Sequence, residues 1–424
     1  MKIAIIGSGI SGNVIAYKLH QQHDITLFEM NNHIGGHTHT HDVLHGEQNL
    51  AVDTGFIVFN YKTYPYFTRL LEELGVEIQP STMSFSVKCD KSGLEYNGTS
   101  LNSMFAQRTN LLRPSFYRMI KDILRFNKEA VEFLQTEEQD LSLSQFLILN
   151  GYGVEFIENY LIPMGAAIWS ASPDQMYKFP AGFFIRFFHN HGMLSVNERP
   201  VWHVIKGGSR EYVKKLTATF NDKIHVNTGV KEITRHPDKV TVRTMDDQVQ
   251  DFDHLFIATH SDQALNLLSD PSCEEKAILG SIPYQNNEVV LHTDDTILPK
   301  RKLAWAAWNY HISKNTNHRV ALTYNMNILQ NLQSDTQFCV TLNHSEHINP
   351  DKIIKRLNYD HPVFTPEGVI AQQRQYEING VNRTYYCGAY WRFGFHEDGV
   401  ISALNALQHF EEKNNGKLFL QRAS

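Results

Sequence analysis

The sequence is short of everything that would mark a disulfide scaffold, a zinc finger or a membrane span. Its 424 residues hold four cysteines, Cys89, Cys273, Cys339 and Cys387. They are scattered, with no C-x-x-C and no metal-finger spacing, which argues against a disulfide framework and suits a reducing compartment. No apolar run has the ~20-residue length that crosses a bilayer. The first strand signal begins at residue 2 and leaves no room for a cleaved leader, so a cytoplasmic location is expected. Neither sign of charge dominates. The formal net charge of −6 excludes a generally basic nucleic-acid binder, and no nucleic-acid partner is expected. The length allows two or three domains, or one large two-part fold with a substantial core.

What the sequence does have is concentrated in its first thirty residues. An apolar run (Ile3, Ala4, Ile5, Ile6) leads into Gly7-Ser8-Gly9-Ile10-Ser11-Gly12, then a helical stretch to about Gln22, then a second apolar strand ending at Glu29. This is G-x-G-x-x-G in the strand–turn–helix–strand context that gives it meaning. Gly7 permits the tight turn, Gly9 lets backbone approach a diphosphate, and Gly12 lets helix and strand pack closely. A diphosphate would then sit on the helix N-terminus beside Ile10 and Ser11. Glu29 stands where an acid binds a ribose hydroxyl pair, and its charge disfavours a 2′-phosphate. Only one complete fingerprint of this kind is present, which argues against a nicotinamide-dependent reductase.

After Glu29 come Met30-Asn31-Asn32-His33-Ile34-Gly35-Gly36-His37-Thr38. This stretch resembles the loop of the flavin-containing amine oxidase, phytoene desaturase and protoporphyrinogen oxidase superfamily that follows the FAD diphosphate and ribityl chain. The resemblance implies FAD contacts at Met30, Gly35, Gly36, His37 and Thr38, although the family's arginine is here His37. Residues 51–60 resemble the segment beside the isoalloxazine, implying Gly55, Phe56 and Ile57. Residues 228–230 resemble the segment bracketing the adenine, with Val230 the candidate, and 256–259 the return to the diphosphate at Ala258. Residues 384–400 resemble the last FAD motif. There Gly388 would pass the diphosphate, and a helix N-terminus near Gly399 and Val400 would point at the flavin O2 edge.

The fold implied is α/β: a discontinuous Rossmann-like FAD-binding domain with an inserted α+β substrate domain, of the amine oxidase and glutathione reductase type. Residues 1–79, 201–280 and 376–424 would form the FAD-binding domain. Residues 80–200 would form the helical part of the substrate domain, and 281–375 its sheet. Segments 52–60, 165–170, 202–212 and 396–399 are similar to a bacterial group of FAD-dependent methyl-fatty-acyl desaturases of furan fatty acid synthesis. That resemblance implies dehydrogenation of a lipid-bound acyl chain, with hydride passing to flavin N5 and a base taking a neighbouring proton. The sequence does not name the electron acceptor.

The base candidates placed near a flavin are His37, His396 and Glu397, each of which could equally satisfy a turn or a phosphate. His33, His37, His39, His41 and His45 invite a metal reading, but no carboxylate or cysteine completes a ligand set, and no metal is expected. Basic and apolar residues interleave over 108–128. Such a helix can lie on the anionic inner face of the cell membrane, or be an ordinary helix with a solvated basic face. Phe183, Phe184, Phe187 and Phe188 suit a core or a tunnel wall. Two other functions stay open: a flavin oxidase of a soluble amine, and a non-catalytic flavin-binding or electron-relay subunit.

Overall fold

Five parallel strands form the sheet on which the glycine turn rests. In spatial order they are Ile224–His225, Asp24–Phe28, Lys2–Ile6, His254–Ile257 and Thr384–Tyr386. Lys2–Ile6, at the centre, buries four of its five residues, as a strand covered on both faces must. The structure is a computed structural model and describes residues 1–136, 141–195, 200–314 and 319–414. The last ten residues of the expected C-terminal segment, 415–424, therefore lie outside the described residues.

Helices cover one face of this sheet. Ile10–Leu19 packs against the C-terminal helix His396–Lys413, and Arg210–Thr217 packs against Ile10–Leu19. The three-stranded antiparallel sheet of Val230–Arg235, Val240–Thr244 and Val249–Phe252 shares a core with the other face. The apolar-alternating stretch 223–233 does not form one strand. The chain breaks at Asn227, which adopts φ +52, so that Ile224–His225 joins the parallel sheet and Val230–Arg235 joins the other. Asparagine tolerates that left-handed conformation better than a β-branched residue would.

A seven-stranded mixed sheet builds the second half of the molecule. Its spatial order is Ile353–Pro362, Tyr284–His292, Cys339–Leu342, Leu322–Asn325, Trp308–Ile312, Phe85–Cys89 and Leu94–Asn97. The last two strands come from the stretch read as helical. They form a hairpin turning at Gly93 (φ +65), too short for its periodicity to stand out in the sequence. Helices follow. Pro114–Phe133 buries Phe116, Met119, Phe126, Ala130 and Phe133 on one face. Ile162–Trp169 and Ala181–Asn190 pack tightly enough that a Cβ on Gly165 would stand 2.7 Å from Met176 and from the Phe184 ring. Phe184 and Phe188 are core, whereas Phe187 reaches the cavity described next.

Candidate functional site

One cavity of about 1690 Å³ runs from the glycine turn into the helical half of the molecule. Its first end is made by backbone. Gly7 holds φ +96, and a Cβ there would lie 3.0 Å from the Ala258 carbonyl oxygen. A Cβ on Gly12 would stand 1.9 Å from the Gly7 carbonyl oxygen, so only glycine fits. At Gly9 the same test finds nothing within 4 Å: the space over that residue is open. The second glycine loop comes down on the first, with Gly36 (φ +59) placed so that its Cβ would be 3.1 Å from Gly9 Cα.

Glu29 ties the parts together. Its Oε2 accepts from Ser8 N–H (2.9 Å) and Ser8 Oγ (2.6 Å), and its Oε1 accepts from Asn31 N–H (2.8 Å) and Nδ2 (2.9 Å). Ser8 and Asn31 fill variable motif positions, and only the fold reveals their part. Glu29, Met30 and Val230 line the cavity here, with Ile10, Ser11, Ala258 and Gly388 further along.

A wall of histidines follows. His37, His260 and His361 surround one another at ring-centroid distances of 5.9 and 5.5 Å from His37, with Tyr359 at 5.1 Å. His33 stacks on His39 at 4.0 Å, and His41 tilts against His39 at 4.1 Å. Burial, followed by mutual repulsion, keeps His37 down at about 4 and His361 at about 3; burial alone leads for His260, at about 4. All three rings are neutral at pH 7. The His37 Nε2 is buried with no hydrogen-bond partner among the described residues.

Gly55 lines the cavity, but its missing Cβ serves the protein itself. A Cβ would meet the His37 carbonyl oxygen at 2.1 Å, and that oxygen accepts from Phe56 N–H at 2.8 Å. Phe56 and Ile57 line the next stretch, where the Phe56 ring stacks on His396 at 3.5 Å. Beyond them the wall turns apolar: Met104, Ile120, Ile123, Met164, Trp169 and Phe187 come from four helices.

Several expected site residues do not face the cavity. Gly12 and Gly399 are packing glycines: a Cβ on Gly399 would stand 2.6 Å from Ile10, and its carbonyl oxygen accepts from Ser11 Oγ at 2.8 Å. Val400 belongs to the core under the parallel sheet. Thr38 lies behind the wall, bonded to Tyr212 and His396. Glu397 is the clearest correction. Its two carboxylate oxygens accept from Tyr66 N–H (3.0 Å) and Phe67 N–H (2.9 Å), capping the helix Pro65–Glu73. That occupation by backbone donors removes it from the base candidates. His37 and His396 remain on the cavity wall. Among the described residues, the side chains close enough to share a metal ion are His344, Glu346 and His347, none of which lines the cavity.

The geometry fits FAD by its own criteria: open backbone over Gly9, glycines at 7 and 12 where no other residue fits, an acid held by its neighbours at the strand end, and a buried unpartnered imidazole nitrogen beside them. The family model for flavin-containing amine oxidoreductases matches residues 10–335. A stretch of 108 residues, 24% of this chain, is 36% identical to tryptophan 2-monooxygenase of Allorhizobium ampelinum and spans 14% of that enzyme's length. Two solved structures share the fold over nearly the whole chain. The conjugated-linoleic-acid-producing fatty acid isomerase of P. acnes superposes with a TM-score of 0.69 at 16% identity, covering 96% of this chain and 98% of its own. Cyclohexylamine oxidase of Brevibacterium oxydans superposes with a TM-score of 0.68 at 14% identity, covering 97% and 99%. The chain belongs to the flavin-containing amine oxidoreductase family and is an FAD-dependent oxidoreductase.

Proposed function

We propose that this flavoprotein dehydrogenates a methyl-branched acyl chain of membrane phospholipid, the step that furan fatty acid synthesis requires of a desaturase. The carrying observation is the second half of the cavity. Aliphatic and aromatic side chains line most of it, with Asn127, Ser170 and His191 among them, and among the described lining residues the carboxylates are Glu29 and Asp360, both at the cofactor end. An acyl chain needs such a wall, because each buried CH₂ contributes about 0.8 kcal/mol. A substrate ammonium would instead need a carboxylate in the apolar half to offset its desolvation, and Asn127, whose buried Oδ1 has no partner among the described residues there, offers a neutral oxygen only. That difference ranks a soluble amine second.

FAD, when bound, supplies the two-electron acceptor for an allylic hydride. The protein's share is to hold the chain, exclude water and leave few polar groups near the reacting carbons.

The mouth of the cavity favours a membrane source for the substrate. Leu101 and Leu124 line it and are 81% and 56% exposed, and Leu112 just beyond is 87% exposed. Arg113 follows Leu112 in the chain, and Arg118 and Lys121 of the amphipathic helix Pro114–Phe133 share a surface hollow with that leucine. No described helix is long and apolar enough to cross a membrane. Exposed leucines beside cations suit peripheral docking on anionic lipid at the inner face of the cell membrane.

The test is the anaerobic visible spectrum of the holoprotein before and after adding vesicles of methyl-branched unsaturated phospholipid. Bleaching by lipid and not by simple amines is expected. Bleaching by amines alone, or by neither, overturns the proposal.

A further inference from the structure

Behind the cavity wall, three polar groups close a triangle. Thr38 Oγ1 lies 2.6 Å from Tyr212 OH and 2.9 Å from His396 Nε2, and Tyr212 OH lies 2.9 Å from the same nitrogen. Thr38 and Tyr212 are buried, and neither hydroxyl has another hydrogen-bond partner among the described residues. Each contact can hold one hydrogen, and each hydroxyl brings one.

The proton count decides the tautomer. With a bare Nε2, Tyr212 donates to the nitrogen and Thr38 donates to the Tyr212 oxygen, so every hydrogen has an acceptor. With Nε2 protonated, the imidazole uses one contact and the hydroxyl pair another. The third contact then points a hydroxyl hydrogen at an N–H. One buried donor would be stranded, at the full desolvation cost of an unmade hydrogen bond. The bare Nε2 is the consistent arrangement, and in a neutral ring it puts the hydrogen on Nδ1.

The ring is neutral and fixed in plane. Burial drives its basicity down, His37 nearby adds to the effect, and the Phe56 face stacks on it at 13° between planes. Phe67 meets it edge-on at 5.5 Å. Among the described residues no protein group takes up Nδ1, and the residue lines the cavity.

We propose that His396 acts through Nδ1–H as a neutral hydrogen-bond donor to an acceptor oxygen in the cavity, and not as a base that removes a proton. Thr38 and Tyr212 are positioning residues that fix the tautomer. The acceptor is a carbonyl-type oxygen, either on the pyrimidine edge of the flavin or on the carboxyl or ester group of the substrate. The proposal rests on FAD occupancy of the cavity, and only its substrate-oxygen arm draws on the lipid reading.

The test uses 15N-histidine-labelled holoprotein, with His396 assigned by comparison with His396→Phe, which keeps an aromatic ring against Phe56. The expected spectrum shows a pyrrole-type Nδ1 and a pyridine-type Nε2, unchanged between pH 6 and pH 9. Tyr212→Phe alone should preserve this, because Thr38 can donate to Nε2 instead. The double variant Thr38→Val, Tyr212→Phe should mix the tautomers. A protonated Nε2 in the wild-type protein, or a ring that titrates near neutrality, overturns the proposal. Bound-flavin absorbance shows whether each variant has folded.

Two further readouts separate the sources of the acceptor. If the oxygen is the flavin's, His396→Phe moves the flavin reduction potential to more negative values without substrate. If it is the substrate's, the potential stays and KM rises at least tenfold. If neither changes, the donor has no acceptor and the proposal fails.

Discussion

The two ends of the cavity are built by different means. At the glycine turn, backbone approaches backbone so closely that one added Cβ decides the matter, as at Gly12 and Gly36. At the far end, side chains from four helices meet around open volume, and no single contact dictates its neighbour. The first arrangement is an anion cradle whose tolerance is a few tenths of an ångström. The second is a greasy chamber that can be re-cut without disturbing the first. The comparison teaches that cofactor and substrate specificity are mechanically separable in this protein.

Breaking the cradle has the largest expected effect. Gly12→Ala should yield protein without bound flavin, or no soluble protein, because the new methyl overlaps the Gly7 carbonyl oxygen; absorbance of purified material checks this. Gly9→Ala is the control that sharpens the contrast. Nothing in the protein meets its Cβ, so the apoprotein should keep its melting temperature while FAD affinity falls. Glu29→Gln removes a charged acceptor of four hydrogen bonds and should weaken FAD binding by about 1.5–3 kcal/mol, tenfold or more by titration calorimetry.

A smaller effect distinguishes the histidine wall by pH. His37, His260 and His361 sit at about 4, 4 and 3, below the unfolded value near 6.5. The unfolded chain therefore binds more protons between those values, so these residues raise stability as pH rises from about 4 to 6.5 and no further. Melting curves of the apoprotein across that window should show the rise, and His361→Gln should flatten it. Glu397 has the opposite sign. Burial lifts it to about 7, so its contribution is complete below the ordinary carboxylate range and is lost as pH rises through 7. At the far end, Ile168→Phe should leave the melting temperature and flavin content almost unchanged yet raise KM for lipid several-fold. The smallest stability effect belongs to the rim: Leu112→Asp should stay within about 0.5 kcal/mol of wild type while reducing binding to anionic vesicles.

The same contrast explains what could be read from the sequence. Gly7, Gly9, Gly12 and Glu29 were legible because the cradle is local: strand, turn and helix follow one another within thirty residues. The histidine wall was half legible. His37 and His39 announced themselves, but His260 arrives from the cap of the helix Ser261–Leu267 and His361 from the strand Ile353–Pro362, and sequence spacing carries no trace of that meeting. Glu397 looked like a base because it neighbours a cofactor motif, and only the approach of the helix Pro65–Glu73 shows what its carboxyl oxygens are for. Tyr212 stood only at the end of the resembling segment 202–212, with no role of its own, one aromatic in an amphipathic helix until Thr38 and His396 close on it. The chamber's lining was least legible, since a core face and a tunnel face share one composition.

The bond from Ser11 Oγ to the Gly399 carbonyl oxygen joins residues 388 apart in the chain. The central parallel sheet is likewise completed by residues 384–386 pairing beside residues 254–257. Contacts of such long range form late. A nascent chain carries its glycine turn hundreds of residues before the helix that braces it is made. Flavin loading is thus postponed until that helix has been synthesised, and a chain interrupted before it should stay an apoprotein.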